Sequence, residues 1–211
     1  MPRDREPFIS LVLYHLFKWS VVSPVLHTYF RGRIYGAHHV PQRGPLVVVA
    51  NHASYFDPPL ISNCVRRPVA WMAKEELFRV PILRTLIRWY GAYPVKRGAS
   101  DRRALQAALH ALDQGWVVGV FLEGTRTADG RIYDPKLGAA LIAAKAQAPL
   151  LPVCLWGTQE ILAKGRFPRP VPITVRIGEP IAPPLSGDRH HLEATTQDCC
   201  RCINALHAQG R

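Results

Sequence analysis

The sequence lacks three common catalytic signatures. It has no Gly-x-Ser-x-Gly elbow, the turn that presents a serine nucleophile in many hydrolases. It also has neither the Gly-x-x-x-x-Gly-Lys loop that binds nucleotide phosphates nor the His-Glu-x-x-His pair that binds zinc. The sequence therefore does not predict acyl-enzyme chemistry on a serine, nucleotide hydrolysis or zinc-dependent proteolysis.

Acidic residues are scarce, since 15 Asp and Glu stand against 27 Lys and Arg and the formal charge is +12 over 211 residues. A basic surface attracts anions, so this balance favours nucleic acid, anionic lipid or phosphorylated substrates as partners. Composition does not choose among the three. Hydrophobic residues make up 48% of the chain, which is enough for the core of one domain with an appendage.

Cysteine is also scarce, and the five residues form no disulfide framework, because their number is odd and Cys199 and Cys200 are adjacent. We therefore expect reduced cysteines and a cytosolic protein. The alternative for Cys199, Cys200 and Cys202 is a zinc site. No second group of ligands with metal spacing accompanies them, so we expect them to pack on a helix and expect no metal.

No uninterrupted apolar run reaches the roughly 20 residues that a membrane-spanning helix needs. Residues 8–30 are nevertheless rich in large apolar and aromatic side chains, interrupted by Lys18. Pro24 is expected to kink or end a helix there. A signal peptide is disfavoured by the acidic Asp4 and Glu6 and by the lack of a small-x-small cleavage site.

We predict that residues 1–31 form an N-terminal membrane anchor, a pair of apolar helices lying at or dipping into the membrane interface. Trp19, Tyr14, Tyr29 and Lys18 would then lie at the level of the lipid headgroups. The alternative is a helix that covers the core of a soluble domain.

The stretch from Pro45 to Pro59 combines a buried strand with a candidate catalytic turn. An apolar run at 46–50 predicts the strand, and His52 and Asp57 follow it. Asp57 suits the N-cap of a helix that starts with proline. Residues five apart on a helix point to different faces, so His52 and Asp57 meet only if a folded turn joins them. A histidine held by a carboxylate is the arrangement of a general base; the alternative is a capped helix start with a hydrogen-bonded loop histidine.

Strand patterns alternate with helix patterns along the chain, which predicts an α/β fold. Across residues 32–211 we expect a mixed, largely parallel central sheet of about seven strands flanked by helices. The predicted strands are 33–38, 46–50, 69–73, 92–95, 116–122, 150–155 and 173–177, and the predicted helices are 58–64, 81–90, 102–114, 136–147 and 188–208. Pro149 and Pro152 are compatible with the start or the edge of the strand at 150–155.

The predicted helix at 81–90 carries Arg84 and Arg88 among large apolar residues, and Arg79 lies just before it. A basic amphipathic helix is typical of a membrane surface. An ordinary solvated helix face is the alternative.

Polar clusters follow three of the predicted strands, and the carboxyl ends of parallel strands share one edge of a sheet. The clusters are Asn51-His52, Lys96-Arg97 and Glu123-Gly124-Thr125-Arg126. Gly124 would let the backbone approach an anion, and the Arg126 guanidinium has the fork geometry that suits phosphate. Glu123 would hold Arg126 or a substrate hydroxyl. The alternative for each cluster alone is a solvated strand end.

Several of these residues also stand, in order, in the motifs of one enzyme family. The chain resembles the glycerolipid acyltransferases, the lysophosphatidic acid acyltransferase family, at His52 with Asp57 and at Phe121-Leu122-Glu123-Gly124-Thr125-Arg126. Further matches are Gly91 through Arg97, Lys136 with Gly138, and Pro149 with Pro152 and Val153. The similarity extends over residues 34–180.

The resemblance implies an acyltransferase in which His52 takes a proton from the acceptor hydroxyl and Asp57 orients the imidazole. The hydroxyl would attack the thioester of acyl-CoA or acyl carrier protein directly, without a cofactor or a metal. The expected acceptor is 1-acyl-glycerol-3-phosphate, giving phosphatidic acid; another lysolipid or a glycolipid is the alternative. The implied substrate-binding residues are Arg97, Glu123, Gly124, Thr125, Arg126 and Lys136, with the three cations on the acceptor's phosphate.

The N-terminal segment resembles the family's membrane-anchoring helix pair. We therefore expect a peripheral or monotopic protein at the cytoplasmic face of a membrane, in contact with lysophospholipid and an anionic bilayer surface. The alternative of another class is a basic nucleic-acid-binding module. Groove-reading helix motifs, zinc fingers and ribonucleoprotein aromatic patterns are missing, so we expect no nucleic-acid partner. The sequence does not define an oligomeric state.

Overall fold

The computed structural model describes residues 8–74, 79, 84, 92–95, 102–163, 165 and 167–211. Its strands are β1 (Arg33–Tyr35), β2 (Val47–Ala50), β3 (Val69–Lys74), β4 (Ala92–Val95), β5 (Val117–Phe121), β6 (Leu150–Trp156) and β7 (Thr174–Ile177). Its helices are α1 (Phe8–Phe17), α2 (Asp57–Val65), α3 (Arg102–Asp113), α4 (Gly138–Ala146) and α5 (Arg189–Ala208), with π-helical segments at Lys18–Val22 and Val25–Tyr29 and 3-10 turns at Ala37–His39 and Thr158–Glu160. The helix predicted at 81–90 lies outside the described residues except for Arg84.

The strands form one sheet in the order β1-β7-β6-β2-β5-β3-β4. Neighbouring strands are parallel except β6 and β7, which are antiparallel. The predicted α/β fold with a mixed, largely parallel sheet is confirmed. β2 lies between β5 and β6 and is parallel to both. The residues that follow β2 therefore emerge where three parallel strands end.

Both faces of the sheet are covered, which explains why the central strands are continuous apolar runs rather than alternating patterns. All four residues of β2 are buried. Val48 and Ala50 belong to a core shared with α2 and the N-terminal helical run, which contributes Leu26. Val47 and Val49 belong to a second core shared with α3, α4 and α5.

Pro152 contradicts the expectation that proline marks a strand start or edge here. It lies within β6, which runs between β2 and β7 inside the sheet. The Pro152 carbonyl accepts the amide of Gly178 (2.9 Å), the first residue past β7. Because proline has no N–H, this pair has only one of the two bonds that a hydrogen-bonded antiparallel pair exchanges, and it lies at the end of the β6–β7 ladder.

Residues 8–29 are helical throughout, which corrects the expectation of a helix pair broken at Pro24. Pro24 has helical dihedral angles (φ −58°, ψ −45°) between the two π-helical segments. The side chains buried against the domain recur every four residues: Tyr14, Lys18, Val22, Leu26 and Phe30. Four residues of an α-helix turn about 400°, so this stripe would drift by about 40° per step. The wider π turns counteract the drift and keep the stripe against the core.

The same stripe decides which side chains can reach a membrane. Tyr14 (0% exposed) and Lys18 (1% exposed) lie inside the protein, so the prediction that they lie at headgroup level is wrong. Burial also lowers the pKa of Lys18. Trp19 (60% exposed) and Leu16 (62% exposed) project from the other face. Within the described ranges, no helix is long and apolar enough to cross a bilayer.

Candidate active site

The turn that joins β2 to α2 brings His52 and Asp57 into contact, as predicted. His52 Nδ1 and Asp57 Oδ2 are 2.8 Å apart. The amides of Ala53 (2.7 Å) and Ser54 (2.8 Å) donate to the same oxygen. Asp57 is fully buried, so the turn is wound around its carboxylate.

Asp57 does not cap α2, which corrects the sequence prediction. It is the first residue of the helix, and Phe56 occupies the N-cap position without a side-chain bond. The carboxylate points back into the turn, where three N–H groups meet it. Because a carboxylate only accepts, His52 Nδ1 carries the proton and Nε2 is left to accept one. This is the tautomer that a general base needs.

Two aromatic rings fix the plane of the imidazole. His52 stacks on Phe121, with ring centroids 3.8 Å apart and planes 12° apart. Phe121 stacks in turn on Trp71 at 4.7 Å, and the indole Nε1 of Trp71 donates to Ser62 (2.9 Å). The sequence interpretation missed Trp71 as a support. A signal was present only for the other ring, because Phe121 is the last residue of β5 and lies two residues before Glu123.

Asn51 is a structural anchor rather than a ligand-binding residue. Its amide Nδ2 donates to the carbonyls of Gly130 (2.6 Å) and Leu155 (2.8 Å), and its Oδ1 accepts the Leu155 amide (2.8 Å). It is 1% exposed. The Thr127 amide donates to the His52 carbonyl (2.8 Å). These bonds hold the loop that follows β5 directly beside the His52 turn.

Glu123 stabilises the same loop by accepting hydrogen bonds from its backbone. Its Oε2 accepts the backbone amides of Tyr133 (2.8 Å) and Asp134 (3.3 Å). Of the two roles predicted for Glu123, the first does not hold, because its carboxylate contacts these amides and Arg126 contacts a tyrosine. The second role, contact with a substrate hydroxyl, stays a prediction.

Arg126 reaches the His52 turn through Tyr55. The Arg126 guanidinium carbon lies 3.8 Å from the centroid of the Tyr55 ring, and Nη2 donates to the Tyr55 hydroxyl (2.9 Å). Tyr55 belongs to the segment between His52 and Asp57. The contact therefore places the candidate general base and the candidate phosphate-binding cation at the same end of the sheet. The sequence interpretation missed Tyr55, and a single sequence offers no signal for an exposed loop tyrosine.

The other residues predicted to bind substrate are Gly124, Lys136, Thr125 and Arg97, and the structure describes all of them except Arg97. Gly124 has a left-handed backbone (φ +71°) that disfavours any side chain. Lys136 forms an exposed ion pair with Asp134, so its ammonium is engaged within the loop. Thr125 is exposed. Arg97 lies outside the described residues, and its role stays a prediction.

An apolar cavity of about 500 Å³ adjoins the His52 turn. It lies between the second π-helical segment and the turn, and Phe56 lines it together with Val25 and Tyr29. Phe56 packs edge-to-face on Phe30, with centroids 5.9 Å apart. The carboxylate-bearing turn is therefore flanked by an apolar space large enough for several methylene groups.

One cluster in the described part of the chain has metal-ligand proximity. The ligand atoms of Asp188, His190 and His191 lie within 4.8 Å of one another at the start of α5. They are solvent-accessible residues on a helix end. The cysteines are free, and Cys199 and Cys200 are buried on α5, which confirms that they pack on a helix. Burial raises the pKa of Cys199 to about 12.

The fold and the site define a class. The class is that of α/β proteins in which a histidine held by a carboxylate lies beside an arginine at the carboxyl end of parallel strands. Such a site can remove a proton from a hydroxyl group of an anionic substrate. Residues 31–156 match the family described as Acyltransferase, and the chain belongs to this family. The resemblance seen in the sequence is confirmed.

Individual relatives agree with this assignment. The chain is 30% identical over 150 residues to a chloroplast 1-acyl-sn-glycerol-3-phosphate acyltransferase of Brassica napus, an alignment that covers 70% of this chain and 43% of the relative. It is 27% identical over 153 residues to the 1-acyl-sn-glycerol-3-phosphate acyltransferase of Bacillus subtilis, covering 71% and 73%. The crystal structure of the 1-acyl-sn-glycerophosphate acyltransferase PlsC from Thermotoga maritima matches with a TM-score of 0.70 at 29% identity, covering 94% and 86%. The chain spans about half the length of several curated relatives that it matches.

Proposed function

We propose that the protein transfers a fatty acyl group from a thioester donor, acyl-CoA or acyl carrier protein, to the free hydroxyl of 1-acyl-glycerol-3-phosphate, giving phosphatidic acid. One observation carries the proposal. His52 has its Nδ1 held by the buried Asp57, and its Nε2 has no hydrogen-bond partner among the residues that the structure describes, while Arg126 lies on the adjoining loop. The names of the relatives support glycerol phosphate lipids as acceptors.

The proposed reaction is a direct transfer. His52 Nε2 takes the proton of the acceptor hydroxyl as that oxygen attacks the thioester carbonyl. The tetrahedral intermediate collapses by breaking the carbon–sulfur bond, and the leaving thiolate takes the proton back from His52. Asp57 stabilises the imidazolium between these steps. Its Oδ1 is buried without a hydrogen-bond partner in the described structure, so its charge is directed mainly at the ring and the two turn amides.

The acceptor would be positioned by its two ends. Arg126 binds the phosphate through charge-assisted hydrogen bonds, which places the hydroxyl near His52. The apolar cavity beside Phe56 would hold part of an acyl chain. Binding energy from both ends would be used to orient the reacting atoms rather than to supply a nucleophile from the enzyme.

The direct test is an acyl-transfer assay on the purified protein. Donors are acyl-CoA and acyl carrier protein with the same acyl chain, and acceptors are 1-acyl-glycerol-3-phosphate, other lysophospholipids and a lyso-glycolipid. We expect product with the phosphate-bearing acceptor and at least one donor. A protein that transfers no acyl group but binds DNA with steep salt dependence would overturn the proposal in favour of a nucleic-acid-binding module.

The tyrosine beside Arg126 provides a prediction about acceptor binding. Tyr55→Phe keeps the ring under the guanidinium but removes the hydroxyl that accepts from Arg126. We expect the KM for the acceptor to change by about threefold to tenfold with kcat nearly constant, while Tyr55→Ala, which also loses the stack, should show the larger change. Steady-state kinetics with varied acceptor measure this. If each variant changes the KM for the donor as much as the KM for the acceptor, Tyr55 does not act through the acceptor site.

We also propose that the exposed face of the N-terminal helical run binds a membrane surface, at the cytoplasmic face, as a peripheral or monotopic contact. Leu16, Trp19 and Val21 project from this face, and a chain with a formal charge of +12 is attracted to anionic lipid. Their exposure supports an apolar contact with the bilayer.

Replacing two of these side chains should weaken vesicle binding. For the double variant Leu16→Ser/Trp19→Ser, we expect the affinity for vesicles of phosphatidylcholine and phosphatidylglycerol to fall about tenfold or more, since two large apolar groups no longer enter the interface. Cosedimentation measures it. The matched control is Leu185→Ser, which removes a side chain that is 89% exposed on the loop between β7 and α5. Unchanged binding of the double variant would contradict the proposed contact.

A further inference from the structure

A second cavity lies at the β1 edge of the sheet, away from the residues of the His52 site. It has a volume of about 330 Å³. It opens to solvent and is bordered by β1, the 3-10 turn at Ala37–His39, the end of β7 and the last turns of α5. Its lining includes Tyr35, His38, His39, Arg176, Leu206 and Gln209. None of the residues assigned above to acyl transfer lines it.

Arg176 is the central feature of this cavity. It is 7% exposed, although its side chain carries a permanent charge. Its Nη1 donates to the Gly210 carbonyl (2.5 Å), and its guanidinium carbon lies 5.2 Å from the centroid of the Tyr35 ring. No ion pair joins it to a carboxylate among the residues that the structure describes. A guanidinium has five N–H donors, and a buried cation is costly unless acceptors or an anion compensate it.

The residues that line the cavity include no carboxylate side chain. His39 Nδ1 donates to the Ile177 carbonyl (2.8 Å), so its one N–H is used and Nε2 of the neutral ring is an acceptor. The His38 ring lies 4.1 Å from the His39 ring. His207, also buried on α5, has its pKa lowered by burial first and then by the charge of Arg131, while Asp129 opposes the shift and Arg176 adds to it. Arg176 therefore faces a cavity whose lining offers it no negative charge, which favours an anionic ligand.

We propose that this cavity binds a phosphate monoester with a small organic group. A tetrahedral oxyanion can accept from the Arg176 fork and from the imidazole N–H of His38 at the same time. Tyr35 and Leu206 supply an apolar wall for the organic part. A soluble phosphate ester and the headgroup of a phosphate monoester lipid share this chemistry. The proposal concerns binding alone and does not depend on the acyl transfer proposed above.

The test uses the full chain carrying Arg126→Ala, so that phosphate binding at the His52 site is weakened. Isothermal titration with glycerol 3-phosphate and with inorganic phosphate measures the remaining binding. We expect one site per chain, and we expect Arg176→Gln in this background to weaken it about tenfold or more. His38→Ala, which replaces an exposed side chain, should weaken it severalfold while leaving circular dichroism and thermal unfolding unchanged. His190→Ala, an exposed histidine on α5, is the matched control.

The lipid arm compares vesicles of phosphatidylcholine alone with vesicles that also contain phosphatidate. Extra binding to phosphatidate that disappears in Arg176→Gln or His38→Ala would assign the site to a lipid headgroup. Binding of glycerol 3-phosphate with the same dependence would assign it to a soluble ester. The proposal is overturned if neither ligand binds the Arg126→Ala chain. It is also overturned if His38→Ala, folded as the parent, binds both ligands as tightly as His190→Ala does.

Discussion

His52→Ala is expected to lower kcat/KM for acyl transfer by about 10³-fold or more while the protein remains folded. A positioned general base contributes about 10²–10⁴-fold, and here the same ring also fills the space between Asp57 and Phe121. Removing it leaves the acceptor hydroxyl without a proton acceptor at neutral pH. Single-turnover rates and steady-state kinetics with both thioester donors measure the loss.

Two variants separate chemistry from structure at this position. His52→Asn keeps a hydrogen-bond donor toward Asp57 but cannot serve as a base, so we expect a loss similar to that of the alanine variant. His190→Ala removes an exposed histidine far along the chain and should keep wild-type turnover. Thermal unfolding of all three checks that the turn survives. If His52→Asn turns over at a rate close to that of the wild type, the assignment of His52 as the base is wrong.

Periodicity and local composition were sufficient for most of the fold. The runs at β2, β5 and β6 are apolar because both faces of the sheet are covered, and such runs bounded by Gly and Pro are easy to identify. The N-terminal segment was harder, because the same apolar side chains serve a membrane face or a core face. Only packing shows that Tyr14 and Lys18 are buried while Trp19 is exposed. The expectation that Pro24 kinks or ends the helix came from a local rule. In the structure Pro24 has helical dihedral angles, and the π-helical segments on either side continue the helix.

Part of the site could also be predicted from the sequence, and part of it could not. The pair His52 and Asp57 could be predicted because one short turn contains both. Contacts between distant segments could not be derived from spacing, and these include the stack of His52 on Phe121 and the contact of Arg126 with Tyr55. The N-cap prediction for Asp57 failed because the turn amides and the imidazole offered its carboxylate three donors.

Arg126→Ala is expected to abolish most of the preference for a phosphate-bearing acceptor. The guanidinium is exposed, lies over Tyr55 and donates to its hydroxyl, so it can exchange that neutral partner for a phosphate oxygen without leaving the loop. Hydrogen bonds to a charged group are worth about 1.5–3 kcal/mol each, and two of them correspond to about 10²-fold or more in kcat/KM for the acceptor. The loop itself should persist, because Thr127, Glu123 and Lys136 hold it through contacts with backbone groups.

The measurement that isolates this effect compares two acceptors, 1-acyl-glycerol-3-phosphate and the monoacylglycerol that lacks its phosphate. In the wild type the phosphate should raise kcat/KM, and in Arg126→Ala most of that ratio should disappear, with the KM for the donor nearly unchanged. Arg131→Ala is the matched control, since Arg131 is an exposed arginine of the same loop. Arg126→Lys keeps the charge but not the planar fork, so it should restore only part of the ratio. A ratio that stays at the wild-type value in Arg126→Ala would mean that the phosphate is bound elsewhere, and it would leave His52 without its proposed partner in positioning the acceptor.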